Sequence, residues 1–276
     1  MNKNKPLVSV VMPAFNVEKY IGKAIDSILK QTLKNFELVI INDASTDNTL
    51  SIAENYAKKD TRIVIIKNHK NLQIAASLNR AINLAKSDVI ARMDPDDISY
   101  PDRLRIQHKY LKKHPRVAVV GANMMIMNRE GTVISKREYP TKSSELKKVM
   151  FRYSPFAHPV VMFRRQVFQE FGGYDVNMVP CEDINLWFQI GSKYEFASIP
   201  KLLLQYRLIF VSNSHKKLKS LELLGLRIKL KAITEYGYKL SLYDIFYNFL
   251  EYTTLFFMPA QIRIKAYNFL RSNNLI

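Results

Sequence analysis

Apolar positions in the first half of the chain alternate between two periods. Leu7 to Phe15 is an apolar, β-branched run closed by Pro13 and Asn16, the pattern of a buried strand and turn. From Glu18 to Leu33, residues Tyr20, Ile21, Ala24, Ile25, Ile28 and Leu29 recur at helical spacing. Phe36 to Ile41, FELVII, predicts a second buried strand. It runs into NDASTDNT, a loop dense in side chains that cap helices and make turns. Leu50, Ala53, Tyr56 and Ala57 mark the next helix, Arg62 to Ile66 a third strand, Ala75 to Ala85 a helix and Asp88 to Met93 a fourth strand. Val117 to Met127 is a further strand-like run, after which the alternation stops. The stretch to about Gln205 carries shorter apolar segments and one helix beginning near Asp183.

Strands alternating with helices of this length predict an α/β fold: a mostly parallel sheet, flanked by helices and joined by right-handed crossovers. In such sheets ligands sit beyond the carboxyl ends of the strands. Asn16, Asp43, Asp94, Asp96 and Asp97 all fall just past predicted strands, so they are site candidates before any chemistry is invoked. From about His215 the texture turns Lys-rich and aromatic-rich. We therefore expect an α/β domain over 1–214, its regular alternation confined to a first half that ends at about 115 and a second half over 116–214. A basic helical region follows over 215–276.

Composition changes this picture at two points. With 42 basic and 24 acidic residues the 276-residue chain carries +18, a field that attracts polyanions or anionic lipid. The sequence shows no zinc spacing, RNA-binding aromatic signature or helix-turn-helix pattern, so a bilayer surface or anionic glycan is preferred to nucleic acid. The single cysteine, Cys181, excludes an internal disulfide and a multi-cysteine metal site, which fits a reducing compartment. No secretory signal is legible, and the apolar stretch Ile245 to Pro259 is broken by Asn248 and Glu251. The expected location is cytoplasmic, with attachment to the inner face of the plasma membrane as an added expectation.

The strongest local signal is MDPDD, Met93 to Asp97. Carboxylates this close repel unless a cation screens them, and hard divalent ions take carboxylate and phosphate oxygens. An acidic turn capping the helix near Pro101 is the competing account. Capping likewise explains Ser45, Thr46 and Asp47, but not why three strand ends carry matching polar groups. Glu182-Asp183 begins a predicted helix, where the dipole favours carboxylates; the alternative is that one of them is a base facing the acidic loop.

VSVVMPAFNVEKYIGKAIDSIL, FELVIINDASTDNT, NLQIAASLNRAI, ARMDPDD with PDRL, HPVVMFRR, FGGYD and CEDINLW follow one another over residues 5 to 210. In this order they resemble the family 2 glycosyltransferases, which have the GT-A fold, a Rossmann-like nucleotide-diphospho-sugar transferase architecture. The looser pair Tyr206-Arg207 also fits. The resemblance implies that Pro13, Ala14, Asn16 and Glu18 line the nucleotide pocket and that Asp43 bonds the base, usually uracil. It makes Asp94 and Asp96 a DxD pair, Asp96 the direct ligand of Mn2+ or Mg2+ and Asp94 directed to ribose or metal. Asp97 would orient the sugar or the loop, Asp183 would be the catalytic base and Glu182 would support the acceptor.

Arg92 and Arg207 would add positive charge, with a surface position as the default for each; Arg207, His158 and Trp187 are placed on the acceptor side. Two departures stand out: Gln73 where many relatives have glycine near the nucleotide, and Ile209 where many have histidine. The implied reaction is an inverting transfer from a nucleotide sugar, a UDP-sugar above all, to a glycan or lipid-linked acceptor in polysaccharide or lipopolysaccharide synthesis.

LELLGLRIKLKAI, LYDIFYNFLEY and IRIKAYNFLR in the last sixty residues mix apolar and basic positions. Two readings stand for them: amphipathic helices on anionic lipid, or a bundle packed on the catalytic domain that also offers a homo-oligomer contact. Nucleotidyltransferases and dinucleotide-dependent dehydrogenases are disfavoured, because none of the eight glycines forms an N-terminal phosphate loop. A catalytically inactive relative that binds membrane or polyanion is the remaining alternative. The set Asp43, Asp94, Asp96 and Asp183 weighs against it.

Overall fold

The computed structural model describes residues 5–209 and 215–272. Its nine-stranded sheet has the order β3-β2-β1-β4-β8-β6-β9-β5, with β7 paired to β6. β1 (Val8–Ala14), β2 (Phe36–Asn42), β3 (Ile63–Lys67) and β4 (Val89–Arg92) are parallel neighbours. All seven residues of β1 and of β2 are buried, because helices cover both faces of the sheet; this is why those segments read as unbroken apolar runs. α1 (Glu18–Leu29), α2 (Thr49–Ala57) and α3 (Gln73–Leu84) are the crossovers. α1 buries Ile21, Ala24, Ile25 and Ile28, the stripe expected from its spacing.

Beyond β4 the sheet becomes mixed. After β5 (Ile98–Ser99), α4 (Arg103–Lys113) leads into β6 (Val117–Met127), and β7 (Val133–Arg137) folds back on β6. Three residues, β8 (Met162–Arg164), wedge antiparallel between β4 and β6. β9 (Glu195–Arg207) then runs parallel to β6 for its whole length.

Sequence pattern alone did not separate β9, and its ladder shows why. Register passes from Ala122↔Ile199 to Asn123↔Leu202, so Pro200 and Lys201 bulge out. Proline cannot donate to a ladder, and the bulge breaks the period-two signal. The short helices α5 (Ser143–Val149) and α6 (Arg165–Glu170) were likewise absent from the sequence reading.

α7 (Glu182–Lys193) starts where the Glu-Asp pair predicted a helix. Its buried face, Leu186, Trp187, Phe188 and Ile190, joins the central core. α8 (His215–Thr234), α9 (Leu242–Phe257) and α10 (Ala260–Ser272) follow. Ile228 and Ala232 of α8 are fully enclosed in that core, and the Tyr238 hydroxyl donates to the Phe188 carbonyl at 3.1 Å. The inner side of this region therefore packs on the α/β core. The outer side of α9 exposes Leu242, Phe246, Phe249 and Phe257. Among the described residues, no helix is long and apolar enough to cross a membrane.

Candidate active site

The carboxyl ends of β1, β2 and β4 meet at one sheet edge. The amide of Asp43 donates to the Ala14 carbonyl at 2.9 Å and that of Met93 to the Val11 carbonyl at 3.0 Å, which fixes the three ends side by side. Pro13 and Ala14 close β1 opposite Ile41 and Asn42. The Asn16 side chain accepts from the Thr46 amide at 2.9 Å, and Glu18 accepts from the Asn48 amide and side chain at 2.9 and 2.8 Å. These bonds tie the first turn of α1 to the Asn/Asp-rich loop, so both loops form one rigid wall.

Asp43 is buried, and its Oδ1 accepts from Asn68 Nδ2 at 2.6 Å and the Leu72 amide at 2.8 Å. Asn16, Ala44 and Gln73 adopt φ of 50°, 59° and 65°. Left-handed backbone in residues other than glycine is costly and concentrates at functional sites. Here all three lie on this wall. Gln73 occupies the conformation that glycine adopts without strain, which gives its departure from the family pattern a physical meaning.

Asp94, Asp96 and Asp97 bring ligand atoms within 4.8 Å of one another. The loop they occupy is held from below and from the side. Arg103, fully buried on α4, donates to the Arg92 carbonyl at 2.5 Å and Met93 Sδ at 3.3 Å, while its burial lowers its pKa to about 9. Gln107, one turn on, bonds the Val160 carbonyl at 2.7 Å. From the side, the Arg207 amide donates to Asp97 Oδ1 at 2.8 Å. Its guanidinium donates to the Asp96 carbonyl at 2.8 Å and rests over the Tyr20 ring at 4.7 Å.

Asp97 is completely enclosed, and its Oδ2 has no hydrogen-bond partner among the described residues. Burial, then the charges of Asp94 and Asp96, push its pKa well above the carboxylate range; burial, then Asp94, raise Asp96 to about 6. A hard divalent cation fits this oxygen set and would relieve both the repulsion and the orphaned oxygen.

On the facing side, Glu182 and Asp183 begin α7. They line one cleft of about 330 Å³ with Arg92, Asp94, His158 and Tyr206. Arg92 is ion-paired to Asp94 at 2.5 Å. Burial first, then Asp183, raise Glu182 to about 7, and its Oε2 is buried without a partner among the described residues. Asp183 is raised to about 6 by burial, with Asp94 adding to the shift and Arg92 opposing it. A carboxylate so poised is a proton acceptor that works near neutrality.

His158 Nε2 shares a 2.8 Å hydrogen bond with the Tyr174 hydroxyl, and its Nδ1 stands 3.9 Å from Glu182 Oε1. Burial, aided by Arg92, lowers its pKa well below the imidazole range, so the ring is neutral. Tyr174 is itself positioned by Asn79, whose Oδ1 and Nδ2 bond its amide and carbonyl at 2.9 and 2.8 Å. That bracket explains Gly173, at φ 82°: a Cβ there would meet Asn79 Oδ1 at 2.7 Å.

Three sequence expectations need correction. Arg92 and Arg207 are not surface groups but 2% and 6% exposed, because one is paired to the acidic loop and the other holds its backbone. Trp187 is fully enclosed, packed edge-on against Phe156 and His158, so it lies beneath the cleft wall and cannot touch an acceptor directly. Asp94, Glu182, Asp183, Arg92 and His158 share the cleft. The Asn16, Glu18 and Asp43 wall lies at the same sheet edge but outside that cleft's lining. Tyr206, Arg137, Tyr153, Tyr267 and Arg271, which also line it, were missed as site residues apart from the Tyr206-Arg207 pair. Only the recurrence of Arg and Tyr in the second half hinted at them.

The model of glycosyl transferase family 2 matches residues 9–172. The chain belongs to glycosyl transferase family 2. EpsE of Bacillus subtilis, named as a glycosyltransferase, is 40% identical over 187 residues, 67% of this chain and 66% of that protein. The chain thus spans about two thirds of that relative. The O-antigen biosynthesis glycosyltransferase WbnJ of Escherichia coli is 33% identical over 208 residues, 73% of this chain and 80% of its own.

Among solved structures, S. aureus TarS residues 1–349 in complex with UDP-GlcNAc superposes with a TM-score of 0.68 at 19% identity. The match covers 84% of this chain and 68% of that one. The mannosyltransferase PcManGT of Pyrobaculum calidifontis, in complex with GDP-Man and Mn2+, gives 0.65 at 19%, covering 87% and 67%. These likenesses establish the GT-A fold, and the family match with the relatives EpsE and WbnJ makes the chain a glycosyltransferase enzyme.

Proposed function

We propose that the protein is a metal-dependent, inverting glycosyltransferase. It moves a sugar from a nucleoside-diphosphate donor, a UDP-sugar by preference, to a hydroxyl of a glycan or lipid-linked acceptor in surface-polysaccharide or lipopolysaccharide synthesis. Residues 1–214 form the catalytic domain and 215–276 a basic helical region that attaches to a membrane surface. The observation that carries this reading is the cleft itself, where Asp94 of the acidic loop shares one lining with Glu182 and Asp183, two carboxylates whose pKa values are raised first by burial and further by Asp94. The donor reading is supported by the complexes of TarS with UDP-GlcNAc and of PcManGT with GDP-Man and Mn2+, and the pathway by the O-antigen role of WbnJ.

In this mechanism the Asn16, Glu18 and Asp43 wall binds the nucleoside, with Gln73 beside it. Asp96 and Asp94 would hold Mn2+ or Mg2+, which would supply Lewis-acid stabilisation of the leaving diphosphate. Asp97 fixes the loop through the Arg207 amide. Asp183 takes the proton of the attacking acceptor hydroxyl at its carboxylate. Glu182, next to neutral His158, orients that hydroxyl. Arg92, ion-paired to Asp94, adds positive charge beside the diphosphate.

Asp183→Asn is expected to bind nucleotide as the wild type does while transfer falls about 10²–10⁴-fold, the usual worth of a general base. Undiminished transfer by this variant would remove Asp183 from the role.

A further inference from the structure

The cleft holds two electrostatic neighbourhoods. The charges acting on Glu182 and Asp183 include Arg92 and Asp94, whereas those acting on Tyr139 and Tyr267 are led by Arg137 and Arg271, with Glu251 also acting on Tyr267. The second neighbourhood is the unexplained one. Arg271, on α10, is 7% exposed. Its guanidinium carbon lies 3.6 Å from the Tyr153 ring centroid and 5.6 Å from that of Tyr139. One N–H reaches the Glu138 carbonyl at 3.3 Å.

Among the described residues, neither Arg271 nor Arg137 has a carboxylate within ion-pair distance, although every other charge that lines this cleft is acidic or already paired. A buried guanidinium without a counter-ion is unfavourable. Stacking on a ring face also leaves its in-plane donors directed sideways, the geometry that takes two oxygens of an oxyanion at once.

A second cavity adjoins this one. A largely apolar groove of about 420 Å³ between α8, α9 and α10 is lined by Tyr247, Leu250, Met258, Leu270 and Tyr267. The charges in its walls are matched, Arg263 to Glu222 and Lys229 to Glu251, each at 2.6 Å. Tyr267 belongs to both cavities. The apolar groove and the cleft thus share the Tyr267 wall, and the cleft side holds two arginines that have no carboxylate partner among the described residues, together with the proposed base.

We propose that Arg137 and Arg271 bind a phosphoryl group of the acceptor, and that the lipid carrying this phosphate lies in the groove between α9 and α10. The proposal rests on the transferase reading above and names its acceptor: a lipid-linked phosphate whose sugar hydroxyl reaches Asp183. The C-terminal helices then form part of the acceptor site rather than a mere support.

The test uses the full chain with UDP and Mn2+ at saturation, so that the donor side is filled. Calorimetry measures binding of dodecyl phosphate, inorganic phosphate and dodecyl glucoside. Wild type is expected to bind dodecyl phosphate more tightly than either of the others. Arg271→Gln should weaken dodecyl phosphate about ten-fold or more, the scale of a lost charge-assisted contact, and leave dodecyl glucoside unchanged. Arg137→Gln, at a half-buried strand position, should do the same and decides the matter should Arg271→Gln fail to fold. Leu250→Ser should weaken dodecyl phosphate but not inorganic phosphate.

Equal binding of dodecyl phosphate by wild type and both arginine variants overturns the anion site. Inorganic phosphate binding as tightly as dodecyl phosphate overturns the lipid groove. UDP affinity, measured first on each variant, separates these failures from a failure of the donor reading: it is expected to stay at the wild-type value throughout.

Discussion

Asp183 and Gln73 show how single residues carry measurable consequences. The base proposed at Asp183 works only when ionised, and burial raises its pKa to about 6. Turnover is therefore expected to rise with pH through about 6 and level off above it, and this limb should vanish from the residual rate of Asp183→Asn. A pH–rate profile of both proteins checks it. Gln73 is held at φ 65°, where a side chain costs about 1 kcal/mol or more and glycine costs none. Gln73→Gly is expected to stabilise the fold by ~1 kcal/mol, a rise of roughly 2–4 °C in Tm by calorimetry. An unchanged or lower Tm would mean that the side chain makes a compensating contact.

Elements place these residues, and the sequence revealed the elements unevenly. β1 and β2 were legible because burial on both faces removes any ambiguity of period, and their polar ends located Asn16 and Asp43 at once. β9 was not, because the Pro200 bulge interrupts its pattern. Yet this strand returns Tyr206 and Arg207 to the acidic loop over a gap of 110 residues. Arg207 consequently read as a surface charge, although its guanidinium bonds the carbonyls of Asp96, Asn128 and Arg129 at 2.8, 3.2 and 2.9 Å. Non-local strand pairing leaves no trace in local spacing.

The depth of Arg103 was hidden for the same reason, as a helical arginine four residues from a glutamine looks solvated until the neighbouring carbonyls are in place. Arg207→Gln is expected to lower stability by ~2 kcal/mol, roughly 4–8 °C in Tm, and to weaken Mn2+-dependent UDP binding. A thermal melt and a titration read both. Loss of stability with metal dependence intact would show that the strand supports the fold without positioning the loop.

At the scale of the whole molecule, a +18 chain exposes an apolar strip along α9, with Leu242 86% and Phe257 88% accessible. Contiguous apolar surface of this kind, set in a basic field, suits a membrane containing anionic lipid. The sequence posed lipid contact and packing on the core as alternatives. One face packs on the core through Ile228 and Ala232, while Phe249 and Phe257 face outward, the side on which lipid contact is proposed. The full-length Phe249→Ser, Phe257→Ser double variant is expected to lose flotation with phosphatidylglycerol vesicles that the wild type shows. Equal flotation of the two proteins would rule out α9 as the attachment face. The double variant is preferable to removing the region, which would strip enclosed residues from the core.

All of these scales converge on the acidic loop at the end of β4. The most direct measurement is calorimetry of UDP binding, with and without Mn2+, to the wild type and to Asp96→Ala. The wild type is expected to bind UDP far more tightly with Mn2+, and the variant to lose that gain. Full-strength, Mn2+-dependent binding by Asp96→Ala would contradict the metal assignment on which the cleft's chemistry depends.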